Sequence, residues 1–389
     1  MQSSSGAPAI IGVDARELAP GRAGVGRYLR ESLRAMSAIP SASGRLRFAL
    51  FSPERISSEP FLESPMFERR DSMGGSSASF FLAGFPFAAR RRRVNVLWCP
   101  GYMAPPVCSG KVALTICDVS FERHPEWFSP KHRLAFGALS RLSAARADRI
   151  LTISEFSRAE ISEVYRVPPS RIVFVPLGLD DRFRRQTDSE RAGARRFLES
   201  IGVRGEFLLT YGQLFTRRHV IESMRAFAEI APRHPDLQFL IAGRDATFPP
   251  QNVDAVAAGL NRSLGCPAIV RAPYLPEEIL PAILASARAL VWLSEYEGFG
   301  YPPLESLFCG TPPVIGDYAV RSETVGDRAI VVRTPGDVGE IAGGMIRAIE
   351  DESVRREILR DVESLRGRFS WRVSGEKLLA ALADLAADD

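Results

Sequence analysis

The sequence ALVWLSEYEGFGYPPLESLFCG, at residues 289–310, contains a complete strand, loop and helix. Ala289 to Leu293 form a continuous apolar run, typical of a strand in the buried centre of a parallel sheet. A loop with two glycines follows, and Pro302 and Pro303 suit the first turn of a helix, where a missing N–H costs nothing. Gly310 is placed to end that helix. The stretch therefore predicts one strand–loop–helix unit of a parallel α/β fold.

The same unit recurs on both sides of this stretch. Apolar runs alternate with helical patterns such as residues 130–146, and this repetition of strand, helix and strand indicates parallel sheets. The runs form two series, at residues 8–13, 47–51, 94–98, 112–116, 149–153 and 172–175, and then at residues 207–211, 237–242, 268–271, 289–293, 313–315 and 329–332. The turn-forming residues 176–180 separate the two series. We therefore predict two α/β domains in tandem.

Length and composition agree with two folded domains. The chain has 389 residues, of which 46% are hydrophobic and 25% charged, values that exclude an intrinsically disordered protein. A net charge of +4 does not by itself indicate nucleic acid or a membrane as partner. The five cysteines include no C-x-x-C pair and are typical of thiols in a reducing compartment. No signal-peptide pattern follows Met1 and no apolar stretch approaches roughly 18 residues, so we expect a cytoplasmic protein.

One region departs from the alternation of strand and helix. Residues 52–79 are rich in Ser, Pro, Glu and Gly with weak periodicity, which predicts a long mobile loop. The aromatic residues of Phe80 to Phe87 follow, and then the basic run Arg90 to Arg93. This pattern fits an amphipathic helix packed on the sheet with a solvated basic end. It also fits a segment that rests on an anionic membrane surface, and both alternatives stay open.

Two glutamates flank the start of the helix in the opening stretch. Free amides and the positive dipole end at that start would face the carboxyl edge of the sheet, where anionic ligands bind in open α/β folds. Phosphate is the natural ligand for such a place. Glu297 precedes the amides and Glu305 lies in the helix, so the two carboxylates would serve different parts of one ligand, such as sugar hydroxyls. The alternative is that Glu297 is a loop or capping residue and Glu305 a solvated helix residue.

The spacing of these residues resembles a known family. Glu297 and Glu305 enclose Gly-Phe-Gly and precede Cys309 to Pro312, a pattern similar to the signature of glycosyltransferase family 4. These are retaining enzymes with the GT-B fold, in which two Rossmann-like domains face each other across a cleft. The resemblance covers nearly the whole chain, and further matches are Gly24 to Tyr28, Ile153 to Ser157, Val175 to Asp180, Arg217 to His219 and Phe369 to Trp371.

The resemblance implies domain roles as well as a fold. Residues 1–178 would bind the acceptor and residues 179–368 the nucleotide sugar, while residues 369–389 would form a helix that packs back towards the first domain. The reaction would move a hexose from a nucleotide-diphosphate donor to an acceptor hydroxyl. GDP-mannose is the implied donor, because many family members with similar motifs use it. The acceptor would be a glycan or a lipid-linked sugar in bacterial polysaccharide, O-antigen or glycolipid synthesis.

The resemblance also assigns site residues, position by position. Glu305 would bind the ribose hydroxyls, Glu297 would hold the donor sugar and Arg218 would grip the diphosphate. Leu275 lies where the family contacts the base, and Gly24 would let the first domain approach the diphosphate. The implied catalytic residues are Glu297, Arg218 and Asp118, and the implied donor-binding residues are Gly24, Val25, Gln213, Arg217, Arg218, Leu275, Glu297, Gly298, Phe299, Gly300, Tyr301 and Glu305. No metal and no other cofactor are expected.

Two positions depart from the family pattern. Gln213 follows Gly212 where the family often has an Arg, although Arg217 could compensate. Cys117 precedes Asp118 where the family commonly has a His near the donor sugar. Because of these departures we keep a catalytically silent sugar-nucleotide-binding subunit as one alternative. A GT-B epimerase or phosphorylase is a second alternative. Attachment of the protein to the inner face of the cytoplasmic membrane, suggested by Phe80 to Arg93, also stays open.

Overall fold

A computed structural model describes residues 7–22, 24–40 and 45–388 of the chain. The chain forms two compact units, each described here by itself. The first unit contains the described residues up to Glu122, then Pro130–Gly178 and the residues from Arg368 onwards; the second contains Arg123–Ser129 and Leu179–Gly367. Residues 1–6 and 389, which our predicted domains include, lie outside the described residues.

The first unit is built on a parallel sheet. Its strands are β1 (Ala9–Asp14), β2 (Leu46–Phe51), β3 (Phe67–Arg70), β4 (Val96–Cys99), β5 (Lys111–Thr115), β6 (Arg149–Thr152) and β7 (Ile172–Phe174). Their order is β3-β2-β1-β4-β5-β6-β7, and each neighbouring pair is parallel. Ile11 lies opposite both Phe48 and Val96, and all three side chains are fully buried. The apolar runs of the first series are therefore confirmed as strands.

The edge strand β3 corrects the prediction of a long mobile loop over residues 52–79. A 3-10 turn at Pro60–Glu63 precedes β3, which pairs with β2 from Phe67 opposite Phe48 to Arg70 opposite Phe51. The strand reads Phe-Glu-Arg-Arg and has no apolar run. An edge strand tolerates charged side chains because one of its sides has no neighbouring strand, and this is why hydrophobic patterning missed it.

Helices connect the strands of both units. The α-helices are α1 (Val25–Ser37), α2 (Ser77–Ser79), α3 (Phe85–Arg91), α4 (Ser120–Arg123), α5 (Pro130–Arg146), α6 (Glu155–Tyr165), α7 (Asp188–Ser200), α8 (Val220–Ile230), α9 (Val253–Leu264), α10 (Leu280–Ser286), α11 (Tyr301–Phe308), α12 (Val338–Glu350), α13 (Glu352–Ile358) and α14 (Trp371–Ala387). A π-helical turn at Phe80–Gly84 joins α2 to α3. Short 3-10 turns lie at Arg16–Leu18, Pro60–Glu63, Pro125–Trp127, Pro169–Arg171, Thr216–Arg218, Ala231–Arg233, Ala319–Glu323 and Val362–Arg368.

The C-terminal helix α14 belongs to the first unit. Its N-cap is Ser370, whose side chain accepts a hydrogen bond from Val373 N, and the helix packs against α1. The two helices approach closely at Gly375, where an added Cβ would lie 3.1 Å from the carbonyl carbon and from the Cβ of Ala35. A glycine in this helix therefore serves close helix packing.

The aromatic and basic segment, residues 80–93, has features both of a helix packed on the sheet and of a segment that rests on a membrane surface. Phe80 and Phe85 are 2% and 0% exposed and pack into the core beside the first sheet. Leu82 and Phe87, by contrast, are 54% and 62% exposed. The four arginines of the run are exposed, and Arg92 pairs with Glu68 of β3. The segment is thus anchored by one apolar face and presents a second, smaller one outwards.

The second unit repeats the architecture with a second parallel sheet. Its strands are β8 (Glu206–Tyr211), β9 (Leu237–Ala242), β10 (Ile269–Ala272), β11 (Ala289–Trp292), β12 (Pro313–Gly316) and β13 (Ile330–Val332). The order is β10-β9-β8-β11-β12-β13, and each neighbouring pair is parallel. The direction of winding reverses between β8 and β11. The crevice outside the carboxyl ends of two such strands is the usual ligand site of a doubly wound sheet.

In the described part of the chain, no helix is both long and apolar enough to cross a lipid bilayer.

Candidate active site

Two loops meet at the reversal point of the second sheet. The first, which we call the basic turn, is residues 216–219 after β8; the second, the acidic loop, is residues 293–300 after β11. The backbone N–H of Glu295 in the acidic loop donates to the carbonyl of Arg217 in the basic turn, at 3.0 Å. The sheet topology thus brings together two loops that lie far apart in sequence.

Arg218 and Glu297 form an ion pair across these loops. The Nη2 and Nε atoms of Arg218 lie 3.1 Å and 3.3 Å from Oε1 of Glu297, and each side chain is only 11% exposed. The guanidinium lies over the ring of Trp292, 3.9 Å from its centroid, and its Nη1 donates to the carbonyl of Gln213. Burial lowers the pKa of Arg218 to about 10, although the charge of Glu297 opposes this effect. Arg218 is therefore still a cation at neutral pH.

The helix after the acidic loop begins and ends as the sequence predicts. Gly300 precedes α11 with a φ of +85°, a left-handed conformation in which glycine is not strained. An added Cβ there would also lie 3.1 Å from Oη of Tyr318. Pro302 occupies the first turn, and Gly310 follows the last turn with a φ of +86°. The amides of the first turn consequently lie at the carboxyl edge of the sheet, beside Glu297.

Glu305 is a buried residue, which corrects the alternative that it is a solvated helix residue. It is 1% exposed, and the hydroxyl of Tyr211 at the end of β8 donates to its Oε2. A carboxylate with this little exposure needs hydrogen-bond donors. Tyr211 thus holds the Glu305 side chain at the reversal point, and sequence reasoning did not identify Tyr211.

Arg217 lies beside the pair but with a different set of contacts. Its guanidinium lies over the rings of Phe215 and Trp127, 4.3 Å and 5.8 Å from their centroids. Its Nε is buried and has no hydrogen-bond partner among the described residues. Trp127 stacks on His124, with the ring centroids 3.9 Å apart. Cation–π contacts with two aromatic rings therefore fix where the Arg217 guanidinium lies.

The other residues that the resemblance assigned lie elsewhere. Leu275 follows the edge strand β10 and is separated from β8 by β9. Gly24 and Val25 lie at the start of α1 in the first unit, where Gly24 has a φ of +61°. Asp118 follows β5 in the first unit and accepts from Tyr102 Oη at 3.2 Å and from Ser120 N at 2.9 Å. The structure therefore brings together Gln213, Arg217, Arg218, Glu297 and the loop up to Tyr301, within one unit.

Cys117 does not replace the family's histidine chemically. Burial, and then the negative charge of Asp118, raise the pKa of the Cys117 thiol to about 12. The thiol is therefore neutral at pH 7 and carries no charge towards a donor sugar. The carbonyl of Cys117 accepts a hydrogen bond from Ser157 Oγ at 2.8 Å, which fixes the backbone at this position.

Four residues of the site were missed by sequence reasoning. Tyr211 and Trp292 are the last residues of buried strands, where an aromatic residue is usually read as part of the core. His219 and Glu295 extend the contact between the loops: His219 Nε2 lies 2.6 Å from Glu295 Oε1. Tyr211 and Trp292 could have been indicated only by their places at strand ends. His219 lay in the matched run Arg217 to His219, but no role had been assigned to it.

Among the described residues, no three His, Cys, Asp or Glu side chains are grouped in a way that could hold a metal ion.

The reversed winding and the loops at the carboxyl edge of the second sheet are typical of a nucleotide-binding α/β protein. Comparison with known families specifies the class. Residues 196–362 match the family of group 1 glycosyl transferases, and residues 23–178 match the glycosyl transferase 4-like domain. The chain therefore belongs to the glycosyltransferases of the two-domain GT-B type that resemble family 4, as the sequence motifs predict.

Individual relatives agree with this family. The chain is 29% identical over 272 residues to O-antigen chain mannosyltransferase B of Escherichia coli, and the matched region covers 67% of each chain. It is 28% identical over 251 residues to D-inositol 3-phosphate glycosyltransferase of Acidothermus cellulolyticus, covering 63% of this chain and 55% of that protein. The chain thus spans two thirds of the first relative and about half of the second.

A solved structure agrees with the fold. The crystal structure of Anabaena Alr3699/HepE in complex with UDP and glucose matches with a TM-score of 0.71 and 17% identity, covering 97% of this chain and all of that one. At this identity the match shows a shared fold and nothing finer.

Proposed function

We propose that the protein is a retaining hexosyltransferase that moves a hexose, with mannose from GDP-mannose as the leading candidate, to an acceptor hydroxyl. The observation that supports this most strongly is the buried pair of Arg218 and Glu297 at the reversal point of the second sheet. Two things support mannose as the hexose: the resemblance of the sequence motifs, and the name of the E. coli relative, which is a mannosyltransferase. The UDP in the Anabaena structure makes UDP-sugars the donors to compare with it.

The proposed chemistry follows from where charge develops. Breaking the bond between the sugar and the diphosphate builds negative charge on the leaving group, and preorganised cations and amides lower the barrier by stabilising that charge. Arg218, Arg217 and the first-turn amides of α11 are the groups in place for this. Two guanidiniums and a helix N-terminus can meet the charge of a diphosphate, and we therefore propose a reaction without a metal ion.

The carboxylates have separate roles in this proposal. Glu305, held by Tyr211, would accept hydrogen bonds from the ribose hydroxyls, and Leu275 would contact the base. Glu297 and the amides from Gly298 to Tyr301 would hold the donor sugar. In a retaining substitution the acceptor attacks the face from which the diphosphate leaves, and the departing phosphate oxygen takes the proton of the acceptor hydroxyl. Gly24, Val25 and Asp118 of the first unit would serve the diphosphate and the acceptor side.

We place the reaction in the cytoplasm, in the synthesis of a bacterial polysaccharide, O-antigen or glycolipid. The E. coli relative supports this by its name, which assigns it to an O-antigen chain. Nucleotide sugar and a glycan or lipid-linked acceptor are then the partners of the protein, and nucleic acid is not.

Radiolabelled donors test the proposed function. The purified chain should transfer hexose from one donor among GDP-mannose, UDP-glucose and ADP-glucose to a mannosyl or glucosyl acceptor, and NMR of the product should show the anomeric configuration of the donor. Tight donor binding without turnover on any acceptor would favour the silent subunit instead. Turnover that needs free phosphate would indicate a phosphorylase, and turnover that needs no acceptor would indicate an epimerase.

We further propose that residues 80–93 attach the first unit reversibly to an anionic membrane surface. The exposed side chains of Leu82 and Phe87 would enter the interface, and the guanidinium of Arg91, 5.6 Å from the Phe87 ring centroid, would meet lipid phosphates. Each basic residue close to such a surface contributes about 1 kcal/mol. The exposed, basic run at Arg90 to Arg93 is the feature that supports this.

Vesicle sedimentation tests the attachment. The chain should sediment with vesicles that contain anionic lipid at low salt and should be released as the salt concentration rises. Replacing Arg90 to Arg93 with Gln should abolish sedimentation and leave transfer to a soluble acceptor intact. Arg195 and Arg196, exposed on α7, supply the matched control, because their replacement by Gln should leave sedimentation unchanged. Wild-type protein that does not sediment at low salt would contradict the proposal.

A further inference from the structure

His219 has a backbone conformation that disfavours any residue with a side chain. It lies at the end of the basic turn with φ +47° and ψ +43°, directly before α8. This left-handed conformation is free of strain for glycine and costly for a residue with a Cβ. Strained residues persist where the surroundings hold them, and they occur often at functional sites. The backbone conformation does not explain why a histidine stands here, so the explanation has to come from the contacts of its side chain.

The imidazole lies between two carboxylates from two different elements. Its Nε2 is 2.6 Å from Oε1 of Glu295 in the acidic loop, and its Nδ1 is 3.7 Å from Oε2 of Glu222 in α8. Gly336, before α12, also lies near the ring, since an added Cβ there would be 3.6 Å from Cε1 of His219. Burial lowers the pKa of His219, but the two carboxylates outweigh it and raise the pKa to about 9. At neutral pH the residue is an imidazolium that bridges α8 and the acidic loop.

The bridge lies next to the Arg218–Glu297 pair. The carbonyl of Arg217 accepts from Glu295 N at 3.0 Å, Arg218 pairs with Glu297, and His219 pairs with Glu295. Three consecutive residues of the basic turn are thus attached to the acidic loop. Without the His219 attachment, the backbone hydrogen bond from Glu295 and the Arg218–Glu297 pair would have to hold the two loops with one ion pair fewer.

We propose that His219 is a positioning residue of the donor site, whose ion pair with Glu295 holds the basic turn against the acidic loop so that Arg218 and Glu297 keep their productive arrangement. The proposal rests on the proposed function, because it assigns the two positioned residues to the diphosphate and the sugar. His219 touches neither ligand in this scheme. Its effect appears in the chemical step, since a displacement of about 1 Å at a reacting centre can lower a rate about 10²-fold.

Two substitutions separate the side chain from its backbone strain. His219→Gly removes the strain together with the imidazole and should lower kcat about tenfold or more with little change in donor KM. His219→Gln keeps a side chain on this backbone, and its amide nitrogen can take the place of Nε2 and donate to Glu295. It should retain more of kcat than His219→Gly. The melting temperature of each variant reports separately whether the fold is intact.

The partner and a matched control complete the set. Glu295→Gln should lower kcat as His219→Gly does, and the double variant should be no worse than either single variant, because both remove one interaction. His234→Asn is the control. His234 also faces a carboxylate, Glu350 at 3.2 Å, but it lies in the turn before β9, at the opposite end of the sheet from the site. Its substitution should leave kcat unchanged.

The pH profile supplies a readout that a purely structural role would not change. Wild-type kcat should fall as the pH rises through about 9, because the neutral imidazole loses its ion pairs. In His219→Gln this fall should move towards pH 10, where Arg218 loses its charge. A profile that is identical in both proteins would overturn the positioning role.

The result also distinguishes this inference from the proposed function. If wild-type protein turns over a sugar nucleotide and folded His219→Gly has a kcat within twofold of it, the positioning role is wrong and the function stands. If wild-type protein neither binds GDP or UDP in calorimetry nor turns over any donor, the proposed function is wrong and this inference fails with it.

Discussion

The indole of Trp371 lies directly against the backbone of Gly178. A Cβ added at Gly178 would lie 2.6 Å from Cδ1 of Trp371 and closer still to its Cγ and backbone nitrogen. Gly178 is the last residue of the first unit before the chain enters the second, and Trp371 is the first residue of α14. The start of the C-terminal helix is therefore seated on a position that only glycine can occupy without displacement.

The contact predicts that Gly178→Ala destabilises the first unit. Overpacking of this kind costs about 1–3 kcal/mol because either the indole or the backbone must move. Urea unfolding should show a lower free energy of unfolding. Gly193 is the control: it lies in α7 with no heavy atom within 4 Å of an added Cβ, so Gly193→Ala should stabilise by about 0.4–1 kcal/mol. Equal stability of Gly178→Ala and wild type would show that the contact is not tight.

Arg218→Ala should lower kcat on the order of 10²-fold or more, because in the proposed mechanism Arg218 is a preorganised cation that stabilises the leaving diphosphate. Binding of the nucleoside monophosphate should weaken much less, since that ligand lacks the diphosphate that is the proposed partner of Arg218. Steady-state kinetics and calorimetry with GMP measure the two effects. Arg195→Ala, a loss of one exposed arginine on α7, should change neither. An unchanged kcat would remove Arg218 from the mechanism.

Glu305→Gln should mainly raise the donor KM, because in the proposed donor site the ribose hydroxyls would lose a charged acceptor. Tyr211→Phe should act in the same direction and more weakly, since the carboxylate stays but loses the phenol that orients it. Glu297→Gln should instead mainly lower kcat by loosening the sugar at the reacting carbon. Michaelis–Menten kinetics on the three variants test the assignment. An unchanged donor KM in Glu305→Gln would contradict the ribose role.

The His219 ion pairs should make stability depend on pH in one direction. The pKa is higher in the folded chain, about 9, than in the unfolded chain, about 6.5. Their contribution is therefore complete below about pH 6.5 and is lost as the pH rises through about 9. The difference in free energy of unfolding between wild type and His219→Asn, measured in urea at pH 6, 7.5 and 9.5, should shrink with rising pH. A difference that grows would contradict the raised pKa.

Alkylation should distinguish the cysteines. Cys266 is exposed, whereas burial raises the pKa of Cys309 and raises that of Cys117 to about 12. Since the thiolate is the reactive form, iodoacetamide at pH 8 should modify Cys266 first. Peptide mass spectrometry after a short exposure measures this order. Modification of Cys117 or Cys309 at the rate of Cys266 in folded protein would contradict the raised pKa of their thiols.

Local patterns determined the class of fold. The predicted apolar runs all became strands because a strand buried on both faces must be apolar along its length, and this pattern is visible without any partner. The roles of the glycines and prolines around α11 were equally predictable, since they depend only on the local backbone conformation. The edge strand β3 was not predicted from the sequence. A strand at the edge of a sheet can carry charged side chains, and β3 therefore has no continuous apolar run.

The site depended on the tertiary structure. The sequence motif indicated Glu297 and Arg218 separately, but they are 79 residues apart, and only the strand order, with β8 beside β11, makes them an ion pair. Tyr211 and Trp292 had no pattern of their own, and His219 lay in a matched motif that gave it no role, because an aromatic residue or a histidine acquires its role from the residues that it contacts. Strand order is decided by how helices cover both faces of a sheet. Long-range packing of that kind is not encoded in any short stretch of residues.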